Sequence, residues 1–275
     1  MKVHHLNCAT LCPPLSRLLI NDAGKLVCHC LLIETSGGLV LVDTGIGLLN
    51  CTQPGRLGRG FLSSVGPVLD PAEAAVNQVK ALGFQPSDVR HVLLTHLDPD
   101  HAGGICDFPD ATVHVYYKEH VAACRPWHLN ERSRYQACHW EHAPRWARHS
   151  TSGERWLGFE CVRDIPGLPP EILMVPLSGH TRGHSGVAVQ LADTWLLHCG
   201  DAYMHAGEMD PRGRRCTPGL EFVQLFDDVD RLARMRNQER LRQLAREQIG
   251  QVRVFCSHDP TEFAQLKSQA EWQAA

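Results

Sequence analysis

The sequence predicts an α/β (α+β) chain in which sheets are covered by helices. Three observations lead there. Short β-branched runs recur in both halves of the chain, helical segments fall between and after them, and 275 residues can bury a sizeable core without cross-links. No short repeat, low-complexity segment or clear linker interrupts the chain, so a single domain over residues 1–275 is expected.

The elements follow in order. Residues 27–33 and 39–43 flank Ser36-Gly37-Gly38, a turn signal, and read as a hairpin. The Gly- and Pro-rich stretch 45–71 reads as a loop lying over something. Residues 72–82 read as a helix, with Asp70 as N-cap, Pro71 at the first helical position and Gly83 closing it. Strands at 89–95 and 112–117 come next. Residues 119–160 are rich in Arg, Trp and His, show little strand pattern and read as an irregular helical insertion. Strands return at 172–177, 187–191 and 194–199. Residues 221–248 form a helix or a broken pair, with Leu225, Val229, Leu232 and Met235 at helical spacing. Residues 252–256 read as a last strand, and a polar helix ends the chain.

Composition narrows the function. The hydrophobic fraction of 43% and charged fraction of 21% describe an ordinary globular mixture, neither disordered nor fibrous. A net charge of -3 offers no basic field to nucleic acid or to an anionic membrane. No uncharged apolar stretch approaches the roughly 20 residues that span a bilayer, and the start lacks the apolar core of a signal peptide, so a cytoplasmic location is expected. The 12 Cys are scattered without a CxxC pair, which favours small buried thiols over disulfides or thiolate ligands. The 17 His are the stronger signal, because imidazole is a common transition-metal ligand.

Spacing locates that signal. In Leu93-Leu94-Thr95-His96-Leu97-Asp98-Pro99-Asp100-His101-Ala102-Gly103-Gly104, a strand runs into four potential ligands within six residues, and the glycines let the backbone turn sharply. A polar loop with a helix cap would explain one His-Asp pair, but not four ligands and a double glycine. Three more strand ends carry candidates: Gly179-His180-Thr181-Arg182-Gly183-His184, Gly200-Asp201 and Ser257-His258. Oxygen and nitrogen ligands at the ends of several strands are how a rigid sheet preorganises a metal site.

In these segments the chain resembles the metallo-β-lactamase superfamily, in its glyoxalase II and lactonase-like hydrolase branch. His96 to His101 resembles the signature H-x-H-x-D-H, Gly179 to His184 resembles G-H-T-x-G-H, and Leu41-Val42-Asp43-Thr44-Gly45 resembles the early (I/V)DTG turn. Gly200-Asp201 and Ser257-His258 match the last two ligand positions, so the resemblance spans residues 39 to 259 in the family's order. It implies a four-layer αββα sandwich with the site at one sheet edge. It also implies two divalent metal ions, zinc first. One would be held by His96, Asp98 and His180, and the other by Asp100, His101 and His258, with Asp201 bridging. Asp43 would orient a ligand by hydrogen bonds, and His184 would buttress the loop carrying His180. The departure is Asp98, where the family usually has His; a carboxylate hardens that site and makes manganese or iron more competitive.

The resemblance further implies a binuclear metal-dependent hydrolase that cleaves a lactone, thioester or ester with a metal-bridged hydroxide. Asp100 would accept a proton or orient the nucleophile. Tyr203, two residues past Asp201, would reach the mouth of the site as an oxyanion donor, or else pack at a strand end. Substrate choice is expected from residues 45–71 and 119–160. In the latter, Arg125, Arg132, Arg134, Arg145 and Arg148 beside Trp127, Trp140 and Trp146 form either a cap over an acyl or anionic substrate or a solvated helical surface. The expected partner is a small-molecule substrate, not nucleic acid or membrane, and the oligomeric state is open. The alternatives are an iron-dependent oxidoreductase or sulfur dioxygenase of the same fold, a phosphodiesterase, and a non-catalytic scaffold with structural metals.

Overall fold

A computed structural model of the chain describes residues 1–20, 24–127, 129–142 and 144–274. Its strands form two sheets. The first has seven: β1 (Lys2–Leu11), β2 (Leu26–Thr35), β3 (Gly38–Val42), β4 (Pro67–Val68), β5 (Val89–Leu93), β6 (Thr112–Tyr116) and β7 (Arg145–His149), in the spatial order β4-β1-β2-β3-β5-β6-β7. The second has four: β8 (Ile172–Pro176), β9 (Ser185–Leu191), β10 (Thr194–His198) and β11 (Val252–Phe255), in the order β11-β10-β9-β8. β3, β5, β6 and β7 run parallel, as do β10 and β11.

Side-chain alternation along the strands builds the layers. On β2 and β3, Leu31, Ile33, Val40 and Val42 share a core with Ile172, Met174, Val187, Val189, Leu196 and Phe255 of the second sheet. That is the apolar seam between the sheets. Their neighbours Leu32, Leu39 and Leu41 face the other way, onto Val76 and Val79 of helix Ala75–Ala81 and Ala122 of helix Tyr117–Cys124. On the second sheet, Leu173, Val175, Ala188 and Leu197 face outward onto Leu241 and Leu244 of helix Arg231–Glu247. Helix, sheet, sheet, helix is the four-layer αββα sandwich that the resemblance implies. Among the described residues no helix is long and apolar enough to cross a membrane.

Several sequence expectations change. β1 is not expected, because His4, His5, Asn7 and Thr10 break its apolar pattern; antiparallel pairing with β2 over nearly its whole length carries it. Residues 45–71 are not bare loop but hold helices Leu48–Thr52 and Arg59–Val65 and the short strand β4. Asp70 does act as a cap, accepting from the Ala72 amide at 2.9 Å, but the turn it caps is the 3-10 turn Pro71–Glu73, and the α-helix begins at Ala75. The 119–160 insertion is helical only in its first part. Its later part supplies β7, a mostly polar edge strand that pairs in parallel with β6. Residues 221–248 are a broken pair, Pro218–Asp227 and Arg231–Glu247, and the Asp230 carboxylate caps the second by accepting from the Ala233 amide at 2.9 Å.

Candidate metal centre

Five strand ends deliver the candidate residues. Asp43 follows β3, His96 to His101 follow β5, His180 follows β8, Asp201 follows β10 and His258 follows β11. The parallel neighbours β3 and β5, and β10 and β11, end on the same side of their sheets, so one edge of the sandwich collects side chains from both. The sheets are tied there by backbone bonds from the Ser185 amide to the Thr95 carbonyl at 2.9 Å and from the His29 amide to the Ser257 carbonyl at 2.9 Å. Gly200 has φ +54°, and a Cβ there would lie 2.4 Å from His184 Nε2, so the turn that presents Asp201 needs glycine.

The seven residues expected as ligands come together. Asp98 Oδ2 lies 3.4 Å from His96 Nε2 and 3.1 Å from His180 Nε2. Asp201 Oδ2 lies 3.9 Å from His96 Nε2, 3.7 Å from His180 Nε2 and 3.0 Å from His258 Nε2, while its Oδ1 lies 3.3 Å from His101 Nε2. Asp100 Oδ2 stands 3.7 Å from His101 Nε2 and 3.6 Å from His258 Nε2. Two donors on one tetrahedral ion stand roughly 3.4 Å apart when each is ~2.0–2.1 Å from it. Two donor groups, His96-His180-Asp201 and His101-Asp201-His258, each keep their atoms within 4.8 Å of one another and share Asp201.

Unsatisfied atoms test the fit to metal. His96 Nε2, His101 Nε2, Asp98 Oδ1 and Asp201 Oδ1 are buried without a hydrogen-bond partner. Buried polar atoms are normally paired, and each orphan costs about 1–3 kcal/mol. Orphaned imidazole nitrogens among three carboxylates are the donor set of a divalent cation site, so the residues present fit the implied ions.

The far side of two candidate ligands, His101 and His258, is held, whereas His180 Nδ1 is buried without a partner. Asp43 accepts from the Thr95 amide and hydroxyl, both at 2.8 Å, and from His101 Nδ1 at 2.9 Å, which aims His101 Nε2 at the centre. His258 Nδ1 donates to the Val27 carbonyl at 2.8 Å and likewise turns Nε2 inward. His184 donates from Nδ1 to the Leu177 carbonyl at 3.1 Å and accepts the Asp201 amide on Nε2 at 2.9 Å. Both its nitrogens are engaged, and it braces the strand end before His180 together with the Asp201 backbone. Glu119, fully buried, accepts from the Leu97 amide, the Tyr135 hydroxyl, the Thr181 hydroxyl and the Gly183 amide, so one carboxylate ties the two ligand-bearing loops together.

Electrostatics match this arrangement. Burial would raise the Asp201 carboxyl, but His258 and His101 hold it well below the usual range. Burial likewise opposes the Asp98 carboxylate, and the Arg134 guanidinium and His96 pull it well down. His258 is pushed up to about 9: desolvation lowers it, and the Asp201 carboxylate more than reverses that. His184 is driven well down by burial and by His96 and His180, in keeping with a neutral ring that donates once and accepts once.

Tyr203 stands elsewhere. It is fully buried in the core of the second sheet, and its hydroxyl donates to Glu262 at 3.0 Å, so its one proton is already used and it does not reach the mouth of the site. His205 accepts the Gly207 amide at 3.0 Å as the cap of a 3-10 turn. In the insertion, Trp140 and Trp146 pack onto the first sheet's outer core, whereas Trp127 is exposed beneath the Arg182 guanidinium, 4.0 Å from its ring centre.

Two participants escape sequence reasoning. Cys28 joins Asp100 and His258 in a third group with donor atoms within 4.8 Å, while remaining a small buried thiol as expected of the cysteines. A β2 thiol gets there because the Val27 carbonyl binds His258. Arg134 reaches back from the insertion with Nη1 3.3 Å from Asp98 Oδ2. Nothing in its spacing marks it among the six arginines of 119–160; the hint is that a buried acid at 98 calls for a counter-charge.

Comparison with known proteins agrees with this geometry. Residues 23–215 match the model of the metallo-beta-lactamase superfamily. A probable metallo-hydrolase of Mycobacterium tuberculosis is 42% identical over 265 residues, covering 94% of this chain and 81% of that protein. The N-acyl homoserine lactonase AttM of Rhizobium radiobacter is 28% identical, covering 88% of this chain and 86% of its own. A solved N-acyl homoserine lactone hydrolase, with N-hexanoyl-L-homoserine bound at its catalytic metal center, shares the fold at a TM-score of 0.71 and 21% identity, covering 97% of this chain and 95% of that one.

Proposed function

The chain belongs to the metallo-beta-lactamase superfamily and is a metal-dependent hydrolase, and from that premise we propose that it opens a small lactone at a two-metal centre. His96, Asp98 and His180 would hold one ion and Asp100, His101 and His258 the other, with Asp201 available to both. The observation that carries this reading is the Asp201 carboxylate, whose oxygens lie within 3.0–3.9 Å of His96, His101, His180 and His258. When bound, such ions make a nucleophile available from water near neutral pH and polarise the ester carbonyl. The chain's own groups do the rest. Asp43 and the Val27 carbonyl keep the proton of His101 and His258 on Nδ1, and so leave Nε2 free to ligate. Asp100, with its Oδ2 between those two rings, orients the attacking group and accepts its proton. Lactone is favoured over other ester-like bonds because the AttM relatives are N-acyl homoserine lactonases.

The test is elemental analysis of protein purified without chelator, with rates on an acyl homoserine lactone, a thioester, an aryl ester and a phosphodiester. About two equivalents of metal and preferential lactone opening are expected. Metal-replete protein inert on the whole panel would refute hydrolysis of this kind. A second reading, an iron-dependent sulfur dioxygenase, is favoured by the Asp98 carboxylate; oxygen uptake with glutathione persulfide and no lactone opening would establish it instead. Turnover of the phosphodiester alone would point to a phosphodiesterase.

A further inference from the structure

Asp98 and Arg134 are bound more closely than a surface ion pair requires. Arg134 comes from helix Leu129–Arg134 in the insertion, and its side chain is 8% exposed. Its guanidinium is spoken for on every nitrogen. Nε donates to Asn130 Oδ1 at 3.3 Å, Nη1 to the His180 carbonyl at 3.3 Å, and Nη2 to the Asp227 carbonyl at 2.5 Å. Nη1 also lies 3.3 Å from Asp98 Oδ2, the oxygen that faces His96 and His180. Nη1 also lies 3.4 Å from His180 Nε2, so two backbone carbonyls and the Asn130 and His180 side chains fix the arginine in addition to its ion pair with Asp98. Its position is a fixed positive charge beside one ligand.

Charge then distinguishes what position 98 can hold. Asp98, Asp100 and Asp201 bring three negative charges to the centre, and the adjacent guanidinium cancels one. The Asp98–Arg134 pair therefore carries the net charge of a single neutral imidazole, the ligand that the superfamily pattern places there. Without Asp98 the buried guanidinium keeps the Asp227 carboxyl but loses its first counter-charge, which is unfavourable next to a dication.

We propose that Asp98 and Arg134 act as one neutral ligand unit of the first metal site, in which Arg134 is a positioning residue that holds and neutralises the Asp98 carboxylate. It follows that restoring histidine at 98 alone harms metal binding, because it strands the arginine. This rests on the two-metal reading above.

The test is a double-mutant cycle on the full chain with Asp98→His, Arg134→Met and the double variant, plus Arg134→Lys. Zinc affinity is measured by competition with a chromophoric chelator, and stability by thermal unfolding of the metal-free proteins. Asp98→His should lose first-site binding by ~10–100-fold, the range seen when a ligand's support is removed. The double variant should recover most of that loss, and Arg134→Lys should retain more binding than Arg134→Met. The metal-free unfolding shifts of the two single variants should be non-additive, as for residues in contact. Asp98→His binding two zinc ions as tightly as the wild type, with Arg134 intact, would overturn the inference, and so would additive effects in both measurements. If the wild type binds no metal at all, the two-metal function falls, and the ligand unit falls with it; the unfolding cycle then separates that outcome from a pair that is not coupled.

Discussion

Asp43 shows how much one side chain can settle at this centre. It is one of few non-glycine residues with a left-handed backbone, φ 56°, a conformation that asparagine and aspartate tolerate best. Its carboxylate accepts three hydrogen bonds, one of them from His101 Nδ1. Asp43→Asn keeps the backbone and the volume but offers one acceptor oxygen. An amide turned toward His101 would force Nδ1 to accept, moving the ring proton to Nε2, where it blocks ligation. Metal affinity should fall by about 10–100-fold, with a far smaller loss of metal-free stability; unchanged affinity in a chelator competition would refute that role. Residue identity was legible here, since the Asp-Thr-Gly turn, the two His motifs and the late Asp and His all point to one place. Tyr203 was not, because sequence proximity to Asp201 says nothing of which way a strand end turns its side chains.

At the scale of elements, the parallel run β5-β6-β7 carries a chain of three histidines. His91 Nδ1 and His114 Nε2 lie 2.9 Å apart, as do His114 Nδ1 and His149 Nε2, and the last two rings stack at 10°. His114, fully buried, has one ring nitrogen to donate and one to accept, which only the neutral form provides. Burial first, then His149 and His91, push its pKa down from 6.5 to about 3. The unfolded chain therefore binds a proton near pH 6.5 that the folded chain refuses until about pH 3. Between those values the unfolded state holds more protons, so stability falls as pH falls, by at most ~1.4 kcal/mol per pH unit from this group. Chemical denaturation of His114→Asn between pH 4 and 7 should show a shallower slope than the wild type; identical slopes would show that the histidine chain does not govern acid sensitivity. This ladder depends on β7, which the sequence does not announce: Arg145, Arg148 and His149 disguise it, because an edge strand needs only backbone partners on one side and no apolar alternation.

For the whole molecule, a metal bound at the proposed centre would act as a clamp across the sandwich. Candidate ligands from the ends of β5 in the first sheet and of β8, β10 and β11 in the second meet there, beyond the apolar seam of Leu31, Ile33, Met174, Val187 and Phe255. Ions bound only by the folded chain stabilise it by mass action, about 2.7 kcal/mol at a hundredfold excess over the dissociation constant. For a chain of this size that corresponds to a Tm difference of about 5–10 °C. Stripping with chelator should lower the melting temperature by that amount and zinc should restore it, as read by scanning calorimetry. A melting temperature indifferent to chelator would mean that the site does not join the sheets.

Local pattern was enough for sheets covered by helices, most strands and the donor-rich strand ends, because alternation, turn residues and closely spaced donors are written in consecutive residues; the four-layer class followed from the family resemblance. β1 and β7, the approach of Cys28 and the pairing of Arg134 with Asp98 lay beyond it. Each depends on a partner tens of residues away: a neighbouring strand that completes a ladder, or a buried charge that must be matched. Those interactions exist only once the two sheets have closed on each other, since it is burial that turns a distant arginine from a solvated side chain into the counter-charge of a ligand.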